Sequence, residues 1–93
     1  MGLRFDWDPD KAHRNLKKHG VSFVEAQMIF FDENGILIHD PDHSDEEDRF
    51  ILIGMSAKMR VLVVSHTYRE EDHVIRLISA RRADSVERQQ YGR

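Results

Sequence analysis

The sequence predicts an α+β domain, with an N-terminal helix hairpin packed on a mainly antiparallel sheet of four strands and a short C-terminal helix. Three observations carry this. Two capped, helix-period segments come first, four β-type runs follow, and the links between the later runs are too short for parallel crossovers. The chain has 93 residues, room for one domain, 1–93, with a single core.

Asp8-Pro9-Asp10 opens the first helix. Asp is a good N-cap, and proline at the first helical position has no N–H to lose. Lys17-Lys18-His19-Gly20 closes it, with cations on the negative helix end and glycine suited to the left-handed cap. The spacing predicts a helix over 9–19 with a thin apolar stripe of Ala12, Leu16 and His19. Ser22-Phe23-Val24-Glu25 reads as a capping box, and Phe23, Ala26 and Phe30 set the period of a second helix over 22–31. The strands are expected at 35–39, 50–54, 60–67 and 73–80, and residues 3–7 are a candidate fifth strand at an edge. Asp84 and Glu87 offer another capping box for a helix over 85–91. Trp7, Phe30 and Phe31 read as core, and His13, His19 and His73 as ordinary surface or helix-end histidines.

Composition excludes several classes. There is no cysteine, so no disulfide, thiolate metal site or cysteine nucleophile exists. Apolar runs fall well short of the roughly 18 residues a membrane helix needs, and the start lacks a signal-peptide stretch. Met1-Gly2 is not a myristoylation signal, because Asp6 stands where Ser or Thr is required. The expectation is a soluble cytoplasmic protein without membrane partners. The net charge of −3 is unevenly spread. Asp40, Asp42, Asp45, Glu46, Glu47 and Asp48 form an acidic window without Lys or Arg, read as a solvated hairpin loop. The rest of the chain is net basic, and local potential is what a polyanion meets.

His39, Asp40, Asp42 and His43 invite a metal-dependent hydrolase reading, but the calcium-loop template fails at Asp45 and Ile51 and there is no H-E-x-x-H. Phosphate-binding glycine loops and nucleophile elbows are absent. Adjacent Ser65 and His66 should point to opposite faces, so they form no dyad. Strict alternation groups Val74, Arg76, Ile78 and Ala80 on one face, and Ile75, Leu77, Ser79 and Arg81 on the other. Polar groups gather at the strand ends: His66, Thr67, Tyr68 and Arg69, with Arg76, Arg81 and Arg82 from the next strand. Each arginine has an ordinary surface ion pair as its plain explanation; the cluster is what stands out.

These residues resemble the BrnT toxins of bacterial type II toxin–antitoxin pairs, which have a RelE-like fold. The matching pieces are Phe5-x-Trp7-Asp8-x-x-Lys11-Ala12-x-x-Asn15-x-x-Lys18-His19-Gly20-Val21-x-Phe23-x-x-Ala26, Glu47-x-Arg49, His66-Thr67-x-Arg69, and Ile75-Arg76-Leu77-Ile78-Ser79-Ala80-Arg81-x-Ala83-x-x-x-Glu87-x-x-x-Tyr91. The resemblance implies a single RelE-like toxin domain, a ribonuclease that cleaves mRNA and slows translation without cofactor or metal. It also implies a BrnA-type antitoxin with a DNA-binding domain, through which the complex reaches operator DNA. The expected catalytic set is His66, Thr67, Arg69, Glu70, Arg81, Arg82 and Tyr91. His66 is an acid or base that titrates near neutrality, Glu70 a second base, the arginines stabilise the phosphorane, and Tyr91 positions substrate or donates a proton. The expected substrate-binding set is Trp7, Lys11, Arg49 and Arg76, with Trp7 stacking on a base. The alternative is a non-catalytic RNA- or protein-binding module.

Overall fold

The computed structural model describes residues 2–44 and 47–92; Asp45 and Glu46 of the acidic window, Met1 and Arg93 lie outside the described residues. The order is β1 (Arg4–Asp6), α1 (Pro9–His19), α2 (Phe23–Met28) with a 3-10 turn (Ile29–Phe31), β2 (Ile36–Asp40) with a 3-10 turn (Pro41–His43), β3 (Arg49–Met55), β4 (Val61–Arg69), β5 (Val74–Arg82) and α3 (Ser85–Tyr91).

The helix ends form as their cap residues dictate. The Asp8 carboxylate accepts from the Asp10 N–H, and Gly20, at φ 69°, donates its N–H to the Leu16 carbonyl. Ser22 accepts from the Glu25 N–H, but the expected box is only half made. Glu25 is buried and turns instead to Ser56 Oγ (2.7 Å) and to the Arg60 guanidinium. Its cap-returning role is given up to clamp α2 onto the β3–β4 hairpin, where Arg60 holds its pKa below the ordinary value. At α3 both halves of the Asp84–Glu87 box are present. The buried residue of α1 is Asn15, whereas Leu16 is exposed.

The sheet has five strands in the order β1-β5-β4-β3-β2. β2 to β5 form an antiparallel meander, but β1 runs parallel to β5, so the sheet is mixed and not uniformly antiparallel. A parallel pair needs a long crossover, and the whole chain between β1 and β5 supplies it.

One sheet face is covered by α2 and the chain that flanks it. Val21, Phe23, Ala26 and Ile29 pack there on Leu52, Leu62, Val64, Ile75, Leu77 and Ala80, the main core. The other face carries a smaller cluster at one end, where Ile53, Val63 and Ala83 pack with Ile36, Ile51, Val61 and Tyr91 of α3. The remainder of that face carries polar and charged side chains, most of them partly exposed, with Thr67 buried among them.

One irregularity decides which residues share a face. Ser65 pairs with Ser79, but His66 pairs with Leu77. Ile78 is therefore an extra residue, a β-bulge, and reverses side-chain parity along β5. Ile75, Leu77 and Ala80 all enter the main core, while Arg76, Ser79 and Arg81 share the open face. Strict alternation had put Arg76 and Arg81 on opposite sides.

Candidate functional site

The open face bears a cross-strand row spanning all five strands. Asp40 lies opposite Arg49, Thr67 opposite Arg76, and Arg76 opposite Asp6. Phe50 pairs with His66, so Arg49 and Thr67, one position beyond, adjoin. The next row holds Ile38, Ile51, Ser65 and Ser79, and the one after it Ile36, Ile53, Val63 and Arg81. Arg49, Arg76 and Arg81 thus stand on one surface, with hydroxyls between them.

The hydrogen-bond accounting of this surface is incomplete at its centre. Arg49 Nε and Thr67 Oγ1 are both buried and have no partner among the described residues. Arg76 Nη1 donates to Asp6 Oδ2 at 2.8 Å. Arg81 grips Glu87 of α3 bidentately, with both contacts at 2.8 Å. That pair holds the Glu87 carboxyl below its ordinary pKa and raises Arg81 further. Arg69 donates to Glu47 at 3.0 Å toward the turn end, and Glu70 pairs with Arg4.

Other expected site residues fall elsewhere. His66 is fully buried on the opposite face, not at a rim. Its ring sits edge-on to Phe30 (4.8 Å) and beside Phe50 and Tyr68. Its Nδ1 lies 3.2 Å from the Val64 carbonyl, an acceptor only, so Nδ1 carries the hydrogen. Nε2 then accepts from the Tyr68 hydroxyl at 3.2 Å. Burial drives its pKa down to about 4, so it is neutral at physiological pH and out of contact with the arginines. Arg82 pairs with Leu62, on the other parity from Arg81.

Tyr91 donates to Asp32 Oδ2 at 2.5 Å, which, with burial, pushes its pKa up to about 12. Asp32 also accepts from the Met55 N–H, so this contact ties α3 to the body of the fold. Trp7 packs edge-on to Phe23 at 5.9 Å, against the main core. Lys11 lines a groove between α1 and β5.

The adjacency of Arg49 and Thr67, and the placing of Ser65 and Ser79 beside them, went unread in the sequence. Its signal is the pairing register, which no single strand displays. The metal candidates make simple pairs, His43 Nδ1 with Asp40 Oδ2 (2.8 Å) and His39 Nε2 with Asp48 Oδ1 (3.2 Å). A cavity of about 450 Å³ beside Phe50 and Tyr68 is also lined by Leu37, Asp48 and Asp72, and its carboxylates repel phosphate.

Fold and site together define a small α+β domain with one guanidinium-bearing sheet face. Residues 7–87 match the model of the ribonuclease toxin BrnT of type II toxin–antitoxin systems. The chain belongs to this BrnT family. Among solved structures it is similar to the Brucella abortus ribonuclease toxin BrnT, known from a 1.1 Å crystal structure. That likeness has a TM-score of 0.65 and 21% identity, and covers 89% of this chain and 99% of the other. No curated protein matches. Membership of a type II system implies an antitoxin partner. Among the described residues no helix is long and apolar enough to cross a membrane.

Proposed function

We propose that this chain is a metal-independent, RelE-like endoribonuclease of the cytoplasm that cleaves mRNA, and so slows translation, on the open sheet face around Arg49, Thr67, Arg76 and Arg81. A BrnA-like antitoxin with a DNA-binding domain neutralises it and carries the complex to operator DNA. The observation that carries the reading is that Arg49 and Thr67, cross-strand neighbours by register and next to Arg76, each hold a buried polar atom, Nε and Oγ1, with no partner among the described residues. Leaving such atoms unsatisfied costs about 1–3 kcal/mol each, a cost that a phosphate oxygen would offset once the two side chains turn to admit it.

In this reading the RNA 2′-oxygen attacks the neighbouring phosphorus and the P–O5′ bond breaks, leaving a 2′,3′-cyclic phosphate and a 5′-hydroxyl. Charge builds on the non-bridging oxygens, where planar guanidinium forks are the fitting donors. Arg49 and Thr67 hold one oxygen. Arg76 and Arg81 exchange Asp6 and Glu87 for phosphate. Glu70, exposed in the turn next to Arg69, leaves its ion pair with Arg4 and takes the 2′-hydroxyl proton, and the leaving oxygen is protonated from solvent. The buried His66 has no part in the proton transfers, Tyr91 anchors α3, and Trp7 and Arg82 lie off the cleavage face.

The test is cleavage of a naked RNA in EDTA. Arg76→Ala and Arg49→Ala should each lower kcat/KM by about 10²-fold, and Glu70→Gln should lower kcat. Full activity in both arginine variants would overturn the site. The carboxylate partners of Arg69, Arg76 and Arg81 favour the rival reading, a non-catalytic binding module; RNA binding without cleavage, on naked RNA and on translating ribosomes alike, would establish it.

A further inference from the structure

β1 pairs with β5 only along Val74–Arg76, so the β1-side edge of β5 has no strand neighbour from Leu77 onward. A side chain takes the place of the missing strand. Asn15 Nδ2 donates to the Ala80 carbonyl (2.8 Å), and Asn15 Oδ1 accepts from the Ala80 N–H (3.0 Å). The same amide donates to the Val21 carbonyl (2.9 Å). This pins α1 along the open edge. Lys11, Arg14 and Lys18 share the Asn15 side of the helix, at i, i+3 and i+7 spacing, in a stripe about 10 Å long. With His19, Ile78 and Ser79 they line a groove of about 370 Å³.

Two features suit this groove to a polyanion. Among the described residues no carboxylate lies within ion-pair distance of Lys11, Arg14 or Lys18, so these cations, unlike Arg69, Arg76 and Arg81, are not already neutralised. Ser79 also belongs to both surfaces: it lines the groove and stands opposite Ser65 on the arginine face. The bulge residue Ile78 adds an apolar contact at the junction.

We propose that the groove between α1 and β5 is a second backbone-binding track for single-stranded RNA, continuous with the arginine face through Ser79, in which Lys11, Arg14 and Lys18 hold phosphates flanking the cleaved one. The identity of the strand as RNA rests on the ribonuclease reading; the track itself rests on the groove. Its test is therefore binding, with cleavage disabled. The probe is a fluorescent 2′-O-methyl oligoribonucleotide of roughly 12 nucleotides, whose blocked 2′ position cannot attack. Arg14 and Lys18 are exposed, so Arg14→Ala/Lys18→Ala should keep the wild-type melting temperature.

Its Kd should rise about tenfold at low salt, and the slope of log K against log salt should shrink by about 1.4, the loss of two phosphate contacts. Arg14→Glu/Lys18→Glu should weaken binding further. An unchanged slope with Kd within twofold overturns the track. So does a charge-reversed variant that keeps its RNA affinity and loses only antitoxin binding, because the groove would then belong to a protein partner. Loss of RNA binding in the groove variants alongside undiminished cleavage by both Arg49→Ala and Arg76→Ala would sink the arginine-face reading and leave the track standing.

Discussion

His66 shows how far burial changes a residue's chemistry. A histidine in water takes up a proton near pH 6.5; here burial delays this to about pH 4. Between those values the unfolded chain binds more protons than the folded one, so stability rises with pH across the window. The neutral ring contributes about 3 kcal/mol at pH 7 by linkage, fully present above pH 6.5 and lost as pH falls toward 4. Urea melts from pH 7 to 4 should show this decline, and His66→Phe should flatten it. An equal decline in both proteins would mean that His66 is not the titrating group. The lowered pKa of Glu25 acts in a more acid range, its stabilisation present above the unfolded value of 4.5 and lost as pH falls through the folded one.

Among elements, α1 and β5 are the informative pair. α1 was legible to the residue because its signals are local: Asp8, Pro9 and Gly20 each act within one turn of themselves. Its buried residue was not. Asn15 looks like a solvent-facing amide until the open edge of β5 is placed against it. Asn15→Ala removes the three bonds and leaves the Ala80 N–H unsatisfied, so chemical denaturation should show a loss of about 2–4 kcal/mol; less than 0.5 kcal/mol would mean that water replaces the amide freely. α3 was also legible from its capping box. Its docking was not, because that depends on Asp32 reaching Tyr91 across 59 positions of sequence. Tyr91→Phe should cost about 1–2 kcal/mol through loss of a charge-assisted hydrogen bond, measured by thermal melting.

At the scale of the whole molecule, positive charge on the arginine face is paired with Asp6 and Glu87, whereas the cations of the groove beside it are not, among the described residues. Net charge is −3, yet one sheet face carries Arg49, Arg76 and Arg81, and the adjoining groove carries Lys11, Arg14 and Lys18. Asp48 and Asp72 lie around a separate cavity. On the proposed cleavage face, guanidinium groups would supply positive charge that many nucleases draw from metal ions. RNA cleavage should therefore be undiminished in excess EDTA, assayed on naked RNA. Activity lost to chelation and restored by a divalent ion would overturn metal independence.

By itself the sequence determined the elements, their order and the α+β class, and the resemblance in its motifs pointed to the BrnT family, to which the chain belongs. Caps, periodicity and β-branched runs act over a few residues, so they read directly from one strand of text. Tertiary structure alone decided which side chains meet. The Ile78 bulge reverses parity along β5 and brings Arg76 and Arg81 together. The strand register sets Arg49 beside Thr67, and the fit of Phe30 and Phe50 against β4 buries His66. Each of these depends on partners distant in sequence. A shift of one residue in pairing moves a side chain to the opposite face of the sheet, and no local pattern records that shift.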